Sequence, residues 1–180
     1  MTPSRLRQPK GFTLIELMVI ILLTGLLATV VSLSLAHSAR SAQMEDVLKQ
    51  IAYRDNLLRE YAHRFARPCT LVFQLDEGSI RGESLQDGNS GAQQQLYRLP
   101  SRFRMLRLIS PASDVRVGEL AIRCSAAGRT PTYAVLLEDS KQQRQWLLLA
   151  GLSGQSQRVK LDDEIEKLFS ELSAARPDSD

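Results

Sequence analysis

Gly11-Phe12-Thr13-Leu14-Ile15-Glu16-Leu17-Met18-Val19 opens an apolar run that continues to Ala36 with one charge, Glu16, and no proline. As a helix rising about 1.5 Å per residue, Phe12 to Ala36 covers roughly 37 Å, enough to cross the hydrocarbon core of a bilayer with some tilt. Arg5, Arg7 and Lys10 precede the run with no acid among them. That asymmetry favours a cytoplasmic N-terminus and places the remainder on the far side of the membrane. The run is longer than the apolar centre of a secretory signal, about 7–15 residues. Small residues at Ala36-His37-Ser38 offer the alternative, a conventional signal cut.

Glu16 is the anomaly. A carboxylate at the bilayer centre costs on the order of 2.5–3.5 kcal/mol. One reading keeps it at the interface, where it stays wet. A sharper reading follows from a cut after Gly11, which makes Phe12 a free amino terminus and Glu16 the fifth residue. Glu16 then lies about 6 Å further along the helix. A carboxylate there can neutralise an amine in apolar surroundings, most usefully that of a neighbouring copy offset along a filament.

Residues 11–19, with the basic leader before them and the apolar run behind, resemble the class III signal of type IV pilins and type II secretion pseudopilins. The resemblance implies cleavage between Gly11 and Phe12 by a prepilin peptidase, N-methylation of Phe12, and Glu16 as the filament-assembly glutamate. The expected organisation is a leader at 1–11, a transmembrane and filament-core helix at 12–36, its amphipathic continuation at 37–67, a periplasmic β-rich head at 68–173 and a disordered tail at 174–180.

Beyond the span, Met44, Val47, Leu48, Ile51, Leu58, Tyr61, Ala62 and Phe65 recur at helical spacing, so one face of a continuing helix is buried. Lys49, Arg54, Arg59, Glu60 and Arg64 fall mostly between them, on the expected solvent side, and Pro68 ends the pattern. Strands are expected over 70–75, 80–83, 96–99, 103–109, 119–124, 132–138, 144–150 and 157–161. Asp76-Glu77-Gly78-Ser79 and Ala126-Ala127-Gly128-Arg129 read as turns, and 87–95 as a polar loop. Asp162 reads as the N-cap of a short helix bearing Ile165, Leu168, Phe169 and Leu172. The fold class is therefore α+β, a long N-terminal helix on an antiparallel, pilin-like head. Within the family this order is most similar to the H-type minor pseudopilins, the GspH/FimT-like group. Cys69-Thr70-Leu71-Val72-Phe73 after the helix, and Gly151-Leu152-Ser153-Gly154 near the end of the head, carry that likeness. No proline follows the apolar run, and no calcium loop is evident, which departs from the major pseudopilins.

The 180 residues, 43% hydrophobic and 24% charged, fit one domain and exclude low-complexity disorder. Net charge is +3, and the three leader cations account for all of it. A nucleic-acid surface is thus not expected from charge. Arg98, Arg102, Arg104 and Arg107 with Tyr97 and Phe103 could form a basic strip, but an amphipathic strand with solvated arginines reads the same. Two cysteines, Cys69 and Cys124, fall in the region expected to be periplasmic. A disulfide there would add about 4 kcal/mol by loop closure; two buried thiols acting as small hydrophobes are the other reading.

No metal or cofactor is expected. His37 and His63 are too far apart on one helix to converge, and the acids Asp162, Asp163, Glu164 and Glu166 suit a first helical turn. No nucleophile elbow, zinc-protease motif or phosphate loop occurs, so no enzymatic activity is expected. The leading expectation is a minor pseudopilin of a type II secretion system, in the inner membrane. Its partners would be prepilin peptidase, major and minor pseudopilins, an inner-membrane assembly platform, membrane lipid and secreted cargo. The alternatives are a minor type IV pilin for adhesion, motility or DNA uptake, and an anchored periplasmic binding domain that never polymerises.

Overall fold

A computed structural model describes residues 13–84 and 97–174, and the chain divides into two compact units, Met1–Gln43 and Met44–Asp180. Helix α1, Leu14–Phe65, gives its first part to one unit and its second part to the other. The nine described strands follow in the second unit: β1 Cys69–Gln74, β2 Ser79–Ser84, β3 Tyr97–Arg98, β4 Phe103–Ser110, β5 Ser113–Val115, β6 Glu119–Cys124, β7 Tyr133–Asp139, β8 Arg144–Leu149 and β9 Ser156–Val159. Helix α2, Asp162–Ala174, ends the described chain. The expected polar loop at 87–95 lies outside the described residues, as do 175–180; Ala174, expected in the tail, is instead the last residue of α2.

Two antiparallel sheets form, ordered β3-β2-β1-β6 and β5-β4-β7-β8-β9. The main core lies between the second part of α1 and both sheets, where Leu48 and Ile51 meet Phe73, Ile122, Leu137 and Leu149. A second cluster sets Ile165 and Phe169 of α2 against Ile109, Leu136 and Trp146. The five-stranded sheet is thus covered on both faces. That is why Tyr133-Ala134-Val135-Leu136-Leu137 is a continuous buried run and not an alternating one.

Strand β4 changes its parity. A bulge between Met105 and Arg107 inserts a residue, so Phe103, Met105 and Leu108 face the main core while Leu106 and Ile109 face α2. Arg107, one of the four arginines weighed as a basic strip or a solvated face, is drawn into ion pairs with Asp114 at 2.7 Å and Glu166 at 2.9 Å. Asp114 belongs to β5, a three-residue strand that sequence periodicity was too short to mark.

The end of α1 is set by backbone geometry two residues before Pro68. Arg67 N–H donates to the Ala62 carbonyl at 3.1 Å and Ala66 N–H to that of His63 at 3.4 Å, with Ala66 at φ +50°. This is a left-handed helix stop with alanine where glycine is usual. Phe65, expected on the buried face, is 54% exposed because the helix finishes there.

Ala66→Gly should relieve the left-handed alanine and raise head stability by about 1 kcal/mol, read as a higher thermal midpoint. A second expectation concerns pH. The hydrogen bond from Arg107 holds the Asp114 carboxyl below the usual carboxylate range. The stabilisation is therefore full above the unfolded-state pKa and is lost as pH falls through the lower folded value. Asp114→Asn should lower the thermal midpoint at neutral pH, and the gap from the wild type should close in acid. A gap that stays constant down to strongly acidic pH would contradict this.

Candidate functional site

Gly11 and Phe12 lie outside the described residues, so the site begins at Thr13. The Thr13 carbonyl accepts the N–H groups of Glu16 at 3.1 Å and Leu17 at 3.2 Å, and its hydroxyl accepts Glu16 N–H at 3.3 Å. Thr13 is thus the N-cap of α1, and Glu16 is the acid of its first turn. Thr-x-x-Glu before an apolar run is a helix-start signature, the signal that would have identified Thr13 from the sequence. The first turn leaves unpaired N–H groups and a partial positive charge, so a carboxylate is favoured there by local electrostatics alone.

From Leu14 to Val31 none of the helix is buried. Leucine, isoleucine and valine point outward all round, with Leu14 78% exposed. The two threonines of this stretch do not leave their hydroxyls unmet. Thr24 Oγ1 donates to the carbonyls of Ile20 at 2.8 Å and Ile21 at 3.0 Å, and Thr29 Oγ1 to that of Leu26 at 2.6 Å. Such a surface suits an apolar medium, where every polar group must be satisfied within the helix.

In the second unit, polar groups meet inside the core. Asp55 is 0% exposed and Arg59 7%. Arg59 Nε donates to Asp55 Oδ2 at 2.5 Å, one terminal nitrogen donates to the Gly151 carbonyl at 2.6 Å, and the other donates to Thr130 Oγ1 and the Ala150 carbonyl. Tyr133 completes the group by donating its hydroxyl to Asp55 Oδ1 at 2.8 Å. Burial, with Asp55 beside it, pushes the Tyr133 phenol well above its ordinary value. Arg59, expected on the solvent side, is instead buried, because its guanidinium is consumed by two loops of the head. The Gly151 turn packs so tightly that a Cβ would sit 2.2 Å from the Thr130 carbonyl. The arrangement is an anchor between helix and head, sealed from solvent.

Cys69 and Cys124 face each other across β1 and β6. Their thiols are free, donating to the carbonyls of Arg67 and Ser125 at 3.6 Å each, so of the two readings this structure has the buried thiols and not the bridge. Burial pushes the Cys69 thiol up and that of Cys124 up to about 11. Of the acids at the start of α2, Asp162 and Glu166 have side-chain partners, while Asp163 and Glu164 are exposed. Asp162 accepts the Trp146 indole N–H at 2.5 Å, and Glu166 accepts Arg107.

Residues 6–32 match the model of the prokaryotic N-terminal methylation motif. No curated protein sequence matches the chain. Among solved structures, the minor pseudopilin EpsH from the type 2 secretion system of Vibrio cholerae superposes with a TM-score of 0.47 at 11% identity, over 64% of this chain and 95% of that one.

Removing one half of the buried pair should be costly. Arg59→Met leaves the Asp55 carboxylate without its cation and should lower head stability by about 3–5 kcal/mol. The double variant Asp55→Leu/Arg59→Met should recover most of that loss, since no buried charge remains. Chemical denaturation followed by Trp146 fluorescence measures both. A double variant no better than the single one would show that hydrogen bonds to the loops, and not charge pairing, dominate.

Proposed function

We propose that this chain is a minor pseudopilin of a type II secretion system. The carrying observation is the methylation motif on 6–32, opening a helix capped at Thr13 that buries none of Leu14–Val31 and holds one carboxylate, Glu16. In this reading the precursor spans the inner membrane with residues 1–11 in the cytoplasm and the head in the periplasm. Prepilin peptidase cuts between Gly11 and Phe12 and methylates Phe12. The apolar helix then exchanges lipid for the helices of other pseudopilins at the assembly platform. Glu16 sets the register by neutralising the amino terminus of a neighbouring subunit. The head, 68–173, presents its surface to other pseudopilins or to cargo. The role is mechanical and requires no cofactor.

The balance of forces supports this reading. A helix apolar on every side gains nothing by leaving lipid for water, but loses little by leaving lipid for other apolar helices, where packing and polar contacts decide. One carboxylate in such a bundle is costly unless it meets a cation. A free amine at Phe12 supplies that cation only after the cut.

The intact mass of the membrane-extracted protein, with and without prepilin peptidase, tests the first step. Loss of residues 1–11 and gain of one methyl group, only with the peptidase, is the expected result. An uncut chain, or one beginning near Ser38, would overturn the reading. Glu16→Val should leave cleavage intact and abolish incorporation into filaments, read by co-purification with other pseudopilins. Loss of exoprotein secretion on deletion would fit the secretion system. Loss of twitching or transformation with secretion intact would assign the chain to a type IV pilus instead.

A further inference from the structure

Cys69 begins β1 and Cys124 ends β6, and the antiparallel register makes them direct partners. Opposed residues in such a pair have Cα atoms about 4.5–5.5 Å apart and side chains on the same face. A disulfide needs a Cα separation of about 4.4–6.8 Å. Both side chains turn into one small apolar cluster with Ala62, and each residue is only 1% exposed. The paired register sets them at a separation that a bridge spans, and burial shields both thiols from reagents in solution once the head has closed.

We propose that Cys69 and Cys124 form a cross-strand disulfide while the head folds, and that burial then seals the pair in whichever redox state folding left it. The step is thiol–disulfide exchange. A thiolate of this chain attacks a disulfide-bearing oxidant, forming a mixed disulfide and releasing one oxidant thiol. The second cysteine, as thiolate, attacks the sulfur of the first, closing the bridge and releasing the other oxidant thiol. Two thiols of the protein are oxidised and one disulfide of the oxidant is reduced. In the closed head the thiols stay protonated at neutral pH, because burial raises both, and a protonated thiol is a poor nucleophile. The bridge would tie the strand that leaves α1 to the edge strand beside it. This inference stands on register and burial and does not depend on the filament reading.

The test uses the full chain, unfolded in guanidinium with detergent present and refolded with either oxidised glutathione or dithiothreitol. Oxidative refolding should lower the intact mass by two hydrogens and join the Cys69 and Cys124 peptides after proteolysis. The bridged form should melt on the order of 10 °C above the reduced form. Dithiothreitol should open the bridge in guanidinium but not in the folded protein, and oxidised glutathione should leave the folded reduced protein unchanged. In Cys69→Ala/Cys124→Ala the melting temperature should no longer depend on the redox buffer. Two free thiols after oxidative refolding, or bonds only between chains, would overturn the bridge. Equal reduction rates in folded and unfolded protein would overturn the sealing, and a redox-dependent midpoint in the double variant would overturn the assignment to this pair.

Discussion

An arginine inside a protein cannot shed its charge, and its five N–H donors lie in one fixed plane. Removing it from water costs several kcal/mol unless acceptors stand ready around that plane. Arg59 meets that demand with Asp55 from its own helix, the carbonyls of Ala150 and Gly151, and the hydroxyl of Thr130. These acceptors belong to the end of α1, the connection before β7 and the turn after β8. Arg59 thus ties the three together. Tyr133 extends the dependence to the central strand, since its hydroxyl takes the remaining Asp55 oxygen. The glycines follow from the same constraint. Gly151 lets one loop lie on the other, and Gly128, at φ +74°, brings its turn against the Arg59 carbonyl.

Helix α1 answers to two different environments along one sequence. Over Leu14–Val31 it is apolar on every side and satisfies its hydroxyls internally. From Met44 onward it has a buried face, with Val47, Leu48 and Ile51 in the core and Lys49 and Gln50 in solvent. A helix of the first kind has no preferred face for water to select, so its orientation is left to whatever apolar partner surrounds it. A helix of the second kind is oriented by the head it packs on. Backbone continuity joins a segment with no buried face to one fixed in the core.

The same contrast governs what could be read from the sequence. The apolar run, the period-3.6 face after it and most strands were legible because each is a local pattern with a known spacing. The sequence reads Asp162 as a cap, but α2 includes it as its first helical residue, and its carboxylate accepts the Trp146 indole N–H. What escaped were features decided by distant partners. Asp55 and Arg59 look like ordinary surface charges until residues some 70 and 90 positions later arrive beside Arg59. The β4 bulge cannot be seen in Met105-Leu106-Arg107, because it is fixed by pairing with β7. Strand β5 is held to β4 by backbone pairing, with an ion pair that no periodicity announces. Thr13 is legible from its spacing to Glu16, three residues on, which marks a helix start as well as an intramembrane charge.

Glu16 therefore has two physical reasons to be acidic, and they apply at different stages of the proposed life of the chain. In the uncut chain the Thr13 cap and the first-turn N–H groups present a partial positive charge, and a carboxylate four residues from Phe12 lowers the electrostatic cost of that helix end. A cut after Gly11 would replace the leader with an ammonium group one residue ahead of the cap. A cation at that end opposes the helix dipole, and in apolar surroundings its desolvation adds to the cost. The carboxylate then becomes more valuable, because it faces a full charge and not a partial one. In the proposed filament its own terminus would compete with a neighbour's for it. Which one it takes depends on how closely a second helix approaches. On the proposed function, the same residue would steady the monomer in lipid and, when another terminus comes nearer, select the offset between two subunits.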